Sequence, residues 1–138
     1  MAIVAFNFTK INVEKKKSVD GKINITNNVT ITDVQAAHLS LGKNKQEGLR
    51  FSFEFNSKYE PGVGHITLKG DVVSIESDEN TKKILDDWKK DKKIKKEHIE
   101  HILNQVLSKC NIQALILSKD INLPPPIKLP RIQENGTK

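Results

Sequence analysis

Between Asn122 and Ile132 the chain reads Asn-Leu-Pro-Pro-Pro-Ile-Lys-Leu-Pro-Arg-Ile, with four prolines in seven positions. Proline fixes φ and has no backbone donor, so such a run can neither continue a helix nor sit in a central strand. It has to run extended. A solvated tail places polar residues between its prolines, whereas here the prolines alternate with Leu123, Ile127, Leu129 and Ile132, which gain from an apolar surface. The segment is therefore expected to dock rather than trail.

A chain of 138 residues is one ordinary domain, able to bury roughly 65 to 70% of its unfolded surface. Its aromatics are Phe6, Phe8, Phe51, Phe53, Phe55, Tyr59 and Trp88, so aliphatic side chains, isoleucine above all, must supply most of the core. The net charge of +6 is carried almost wholly by lysine, with Arg50 and Arg131 the only arginines. Cys110 is the only cysteine, which excludes an internal disulfide and any multi-cysteine metal site and fits a reducing compartment. Met1 to Phe8 is apolar but lacks a basic leader and a small-residue cleavage site. No apolar run approaches the ~20 residues that span a bilayer. A cytoplasmic protein without membrane insertion is the expectation.

The first half reads as a sheet. Val4, Phe6 and Phe8 alternate, and Ile11 and Val13 continue on the opposite parity, as if an extra residue near Thr9 or Lys10 made a bulge. Ile23, Ile25, Val29 and Ile31 follow the Ser18 to Gly21 turn signal. Leu49, Phe51, Phe53 and Phe55 alternate with Arg50, Ser52, Glu54 and Asn56 in the clearest period-two run. After the Glu60-Pro-Gly-Val-Gly64 turn, Ile66, Leu68 and Val72 form a fourth strand that is expected to change phase near Gly70, and to make a hairpin with the third. Gln35 to Gly48, polar and glycine-containing, reads as a crossing loop or a short helix starting after Asp33.

The second half reads as helices. Asp78 or Asn80 is expected to cap a short one ending near Lys90. Ile99, Ile102, Leu103, Val106, Leu107, Cys110, Ala114 and Leu117 then fall at steps of three and four along a long helix. Cys110 sits on that stripe and reads as a buried structural thiol. Ile112, Leu115 and Ile116 lie off it. A helix on one face of a four-stranded sheet has one side to bury, so this surplus calls for a second copy of the chain or for cover by the proline segment. The expected architecture is α+β: a four-stranded antiparallel sheet (1–76) packed against helices (78–118), the long one C-terminal, followed by a proline-rich extended strap (119–138), all one domain.

Reaction chemistry has little to stand on. His98 and His101 occupy neighbouring positions on a helix, but without a third ligand at a recognised spacing. Gly62-Val-Gly64 lacks the lysine and helix start of a phosphate loop. No catalytic residue, metal or cofactor is assigned, and the chain reads as a non-enzyme. Lys82, Lys83, Lys89, Lys90, Lys92, Lys93, Lys95 and Lys96 crowd the first helix and the linker after it, a candidate set of phosphate contacts. Asp86, Asp87, Asp91 and Glu97 dilute them, and Trp88 is the only aromatic nearby, where RNA modules present stacking planes. A solvated helix face accounts for these lysines equally well.

Four antiparallel strands with a long crossing between the second and third, an aliphatic-rich helix, and then Leu123-Pro-Pro-Pro-Ile-Lys-Leu129-Pro-Arg-Ile132 together resemble the SecB family of export chaperones, across Phe6 to Ile132. The basic charge, Leu103-Asn-Gln-Val106 in the helix and the Gln133 to Lys138 ending make the form closer to an archaeal-type SecB-like protein. The resemblance implies a homo-oligomeric holdase linked to protein export, which uses no nucleotide and binds unfolded polypeptide clients through apolar grooves and unpaired strand edges. Leu123, Ile127, Leu129 and Ile132 are then the residues that line such a groove, or else a strap that packs on the chain's own helix. The alternative is a basic RNA-binding accessory protein, such as one on the ribosome, held through Lys82 to Lys96.

Overall fold

The computed structural model describes residues 2–18, 21–41 and 44–127. Among these, the period-two segments form the strands β1 (Ala2–Lys15), β2 (Asn24–Leu41), β3 (Asn44–Glu60) and β4 (Gly64–Ile75), and the helical patterns become α1 (Asp78–Asp91) and α2 (Lys96–Asp120). The sheet is antiparallel with strand order β1-β4-β3-β2. This is the α+β arrangement of a sheet with a long C-terminal helix packed on it.

The crossing lies elsewhere than the sequence indicates. β2 and β3 are one long hairpin, paired from Asn24 opposite Glu60 to Leu41 opposite Asn44 with a slip at Thr32. Gln35 to Leu41 and Asn44 to Gly48 are thus strand, neither crossing loop nor helix. Along Gln35 to Leu41 the alternation is blurred by alanine and polar side chains, and pairing with the strongly patterned β3 overrides that weak local preference. The crossing instead joins β1 to β2, which stand at opposite edges. The chain leaves β1 past the Pro61 to Gly64 turn, where the Val63 carbonyl accepts from the Lys16 N–H at 2.7 Å.

The expected bulge in β1 is present: Phe8 faces Gly70 and Lys10 faces Lys69, leaving Thr9 unpaired. The expected phase change in β4 is absent, for β4 keeps continuous register with β3 from Gly64 to Ile75. Val72, Val73 and Ser74 are all buried, so both faces are covered at that end and apolar residues of both parities need no slip. Gly70 has a different cause. A Cβ there would run into the Asn7 carbonyl oxygen and stand 2.8 Å from Cζ of Phe53. β1 passes too close for any side chain.

On the helix-covered face, Phe51, Phe53 and Phe55 pack with Ile66, Leu68 and Val72 beneath Ile84 and Trp88 of α1 and Ile99, Ile102, Val106, Cys110 and Ala114 of α2. Phe6 stacks on Phe53 with centroids 5.2 Å apart, and Phe8 meets both edge-on, each such pair adding about 0.5–1.5 kcal/mol beyond burial. Ser77, one residue before Asp78 and three before Asn80, starts α1 in place of either expected cap by accepting the Asn80 N–H at 3.3 Å. Asp78 and Glu79 in the first turn and Lys89 and Lys90 in the last oppose the ends of the helix dipole favourably.

Past α2 the chain turns through Asn122 in the left-handed region (φ 58). The Leu123 N–H then bonds the Ser118 carbonyl at 2.8 Å, and the Leu123 side chain is buried. The prolines follow as a strap over the sheet's end, neither helix nor strand: the Tyr59 hydroxyl donates to the Pro124 carbonyl at 2.5 Å, and Asn27 Nδ2 donates to the Pro126 carbonyl at 2.7 Å. Tyr59 is on β3 and Asn27 on β2, so the strap runs toward the β2 edge.

Candidate functional site

Where the strap reaches β2 it walls a trough of about 370 Å³, lined by Asn27, Asn28 and Val29 of β2, Leu107 and Asn111 of α2, and Ile127 of the strap. The aliphatic members are half-buried, so apolar surface is open at the bottom of the trough. Its rim is made of amides. Asn27 is fixed from two sides, donating to Pro126 and accepting at Oδ1 from the Ser57 hydroxyl at 2.7 Å. Asn111 Oδ1 is enclosed and has no hydrogen-bond partner among the described residues, and an unpaired buried acceptor costs stability. A second hollow, about 310 Å³, lies beside the same edge and is lined by Thr26, Asn27, Asn28, Asn56 and Lys58. Aliphatic side chains next to neutral amides suit a partner with apolar side chains and an unpaired peptide backbone.

The four strap residues part company. Leu123 is buried at 5% exposure and belongs to the chain's own core. Ile127 lines the trough. Leu129 and Ile132 lie outside the described residues. The lysines are all exposed, but on α1 they are interleaved with acids: Lys83 pairs with Glu79 at 3.3 Å, and Lys82 and Lys89 share a hollow with Glu47, Asp78 and Asp86. Lys92 lies 5.5 Å over the Trp88 ring. The fold thus presents α1 as a mixed-charge face and leaves its densest basic run at Lys92, Lys93, Lys95 and Lys96.

Of the surplus apolar residues on α2, Ile112 and Ile116 stand 58% and 50% exposed. Beside them, Lys109 Nζ lies 5.4 Å over the Phe6 ring, so this shoulder of α2 faces the β1 side, away from the trough. His98 is half-buried and His101 exposed. Among the described residues no group of three or more His, Cys, Asp or Glu is placed to hold a metal ion, and no helix is long and apolar enough to cross a membrane.

No family model, curated protein or solved structure matches this chain. Its chemistry has to be read from the groups themselves. Burial pushes the Cys110 thiol up from 9.0 to about 12 and the Tyr59 hydroxyl from 10.0 to about 12, so neither is a nucleophile near neutrality. Both keep their protons in the fold above the pH at which the unfolded chain releases them. Their contribution is therefore complete below about pH 9 and is lost as pH rises from there through about 12. Thiol-exchange reagent at pH 8 is expected to label Cys110 only at the rate of unfolding, and urea melts from pH 8 to 11 should show falling stability. Immediate labelling of the native protein would contradict the buried assignment.

Sequence reasoning passed over Asn27, Asn28, Val29, Leu107 and Asn111 as a group, since they are far apart in the chain. One signal was available. β2 runs 18 residues without a lysine or arginine, in a chain that has 23 of them in 138.

Proposed function

We propose that this protein is a non-enzymatic holdase that captures extended segments of unfolded polypeptide in the trough between β2, α2 and the strap. The observation that carries the reading is the convergence of half-buried aliphatics, Val29, Leu107 and Ile127, with the amides of Asn27, Asn28 and Asn111 in one trough. Apolar burial is non-directional and backbone hydrogen bonds are common to every sequence, so such a site tolerates many clients. The resemblance to SecB-like export chaperones points the same way and adds a link to protein export.

Magnitudes favour weak, reversible capture. One trough offers little apolar surface, so at ~25 cal/mol per Å² a single site barely offsets the roughly 4 kcal/mol or more of freedom lost on association. Several sites joined in one assembly would hold a long client far better than one. The exposed Ile112 and Ile116 shoulder is the surface we assign to contact between copies of the chain.

A double variant, Val29→Thr with Ile127→Ser, tests the trough. It should lose most of its suppression of aggregation of a denatured test protein while melting within a few degrees of the parent. The parent should suppress equally at ~50 and ~200 mM salt, because phosphate binding weakens steeply over that range and apolar capture does not. Suppression untouched by the double variant would sink the proposal. So would ribosome or RNA binding that salt removes, which would move the function to the lysines.

A further inference from the structure

The turn between α1 and α2 carries a dense charge that the holdase reading leaves unused. Lys90, Lys92, Lys93, Lys95 and Lys96 fill five of seven positions, with Asp91 the only acid between them, and all five are exposed. Among the described residues none of the five has an ion-pair partner, whereas Lys69 and Lys83 each hold a glutamate. Like charges this close repel one another until an anionic partner arrives. The residues outside the description cannot quench the run, for they bring Asp20 and Glu134 against Lys43, Lys128, Arg131 and Lys138. Shape and composition narrow the partner. The hollow on α1 reaches only to Lys89, so the run stands on the turn itself, past the end of that groove. Nucleic-acid readout uses stacking planes or arginine forks. Here the one ring is Trp88, 9% exposed beneath Lys92, and the run has no arginine. What remains is a set of point charges on long flexible stems around the half-buried Ile94, which suits a flat array of anions that can shift to meet them.

We infer that the α1 to α2 turn holds the protein against a membrane surface rich in anionic lipid. The contact is peripheral, since among the described residues no helix is long and apolar enough to cross a bilayer. Each lysine near such a surface adds roughly fivefold to partition, so five give on the order of a thousandfold before Asp91 and Glu97 are set against them. The attraction fades within about 8 Å at physiological ionic strength. Leu107 of the trough lies about 16 Å further along α2 than Lys96. Charge at the turn and apolar capture at the trough are therefore separable, and membrane contact does not depend on client capture.

The test is co-sedimentation of the full chain with vesicles of phosphatidylcholine, alone or with about a third phosphatidylglycerol. Trp88, the single tryptophan, serves as a fluorescent reporter beneath Lys92. Binding should require phosphatidylglycerol and weaken at least roughly tenfold between ~0.1 and ~0.5 M salt. Lys93→Gln with Lys96→Gln removes two exposed charges and should cost roughly twentyfold in partition. Lys17→Gln with Lys22→Gln, an equal loss of charge at the β1 to β2 crossing, should stay within about twofold of the parent. Matching urea melts show that both pairs leave the fold intact. Equal weakening by the two pairs would make the binding a response to net charge and overturn the inference. So would equal binding to the two kinds of vesicle, or none to either. Polyuridylate or polyglutamate held through Lys93 and Lys96 in preference to the vesicles, at equal anion concentration, would give the patch to RNA or to an acidic chain and overturn it as well.

Discussion

Gly70→Val is expected to leave the chain unable to fold to its native state. Gly70 sits in β4 opposite Phe8 of β1 and Phe53 of β3. A Cβ there would collide with the Asn7 carbonyl oxygen and come within 3.0 Å of the Phe8 Cα and 2.8 Å of the Phe53 ring. Two of these obstacles are backbone. Relief means lifting β1 off β4, and β1 is anchored by Phe6 and Phe8 on Phe53. Overpacking a tight core usually costs about 1–3 kcal/mol, and more where the backbone must move. Loss of a strand's registration would consume much of a total stability of about 5–15 kcal/mol. Gly21, with φ +80 and nothing within 4 Å of its Cβ position, is the control: Gly21→Ala carries only the left-handed backbone penalty, about 1–2 kcal/mol. Urea melts followed by circular dichroism separate the two. A Gly70→Val protein melting near the parent would show that β1 does not pass where it is described.

Leu123→Ala is the second large effect, expected to cost about 2–4 kcal/mol, in the range for burying and then deleting a leucine side chain. Leu123 is 5% exposed and is part of the core cluster. It anchors the strap, whose next contact is the Tyr59 hydroxyl on the Pro124 carbonyl. Tyr59 is itself 1% exposed, so Tyr59→Phe removes one enclosed hydrogen bond, about 1–2 kcal/mol. Both changes act on one segment, and the double variant should be less destabilised than the sum of the singles. The same variants loosen the wall that carries Ile127, so the client capture we propose should weaken with them. An unchanged melting temperature for Leu123→Ala would return this residue to the client-binding role that its sequence position equally allowed.

Strong alternation made β1, β3 and β4 legible, down to the bulge at Thr9, because a period of two with phenylalanine and isoleucine on one side has no other economical burial. The far half of β2 was hidden. Val34 and Ala37 are buried, but polar and small neighbours mask them, and the strand exists because β3 supplies the partner. Likewise the cysteine's burial followed from its place on the helical stripe, while the trough did not follow from anything local. Asn27 reaches Pro126 across a separation of 99 residues, and neither residue advertises the other.

What the amino-acid order determined alone was that β1, the first half of β2, most of β3 and β4 are strand, that two helices follow, and that the proline run continues neither, since these rest on φ restriction and on apolar periodicity within a few residues. The tertiary structure alone decided that β2 stands at the edge, that the crossing leaves from β1, and that Ile127 of the strap lies against three amides and two aliphatics. Those outcomes depend on closing long loops and on burying one shared face, which are energies of the whole chain and belong to no single stretch of it.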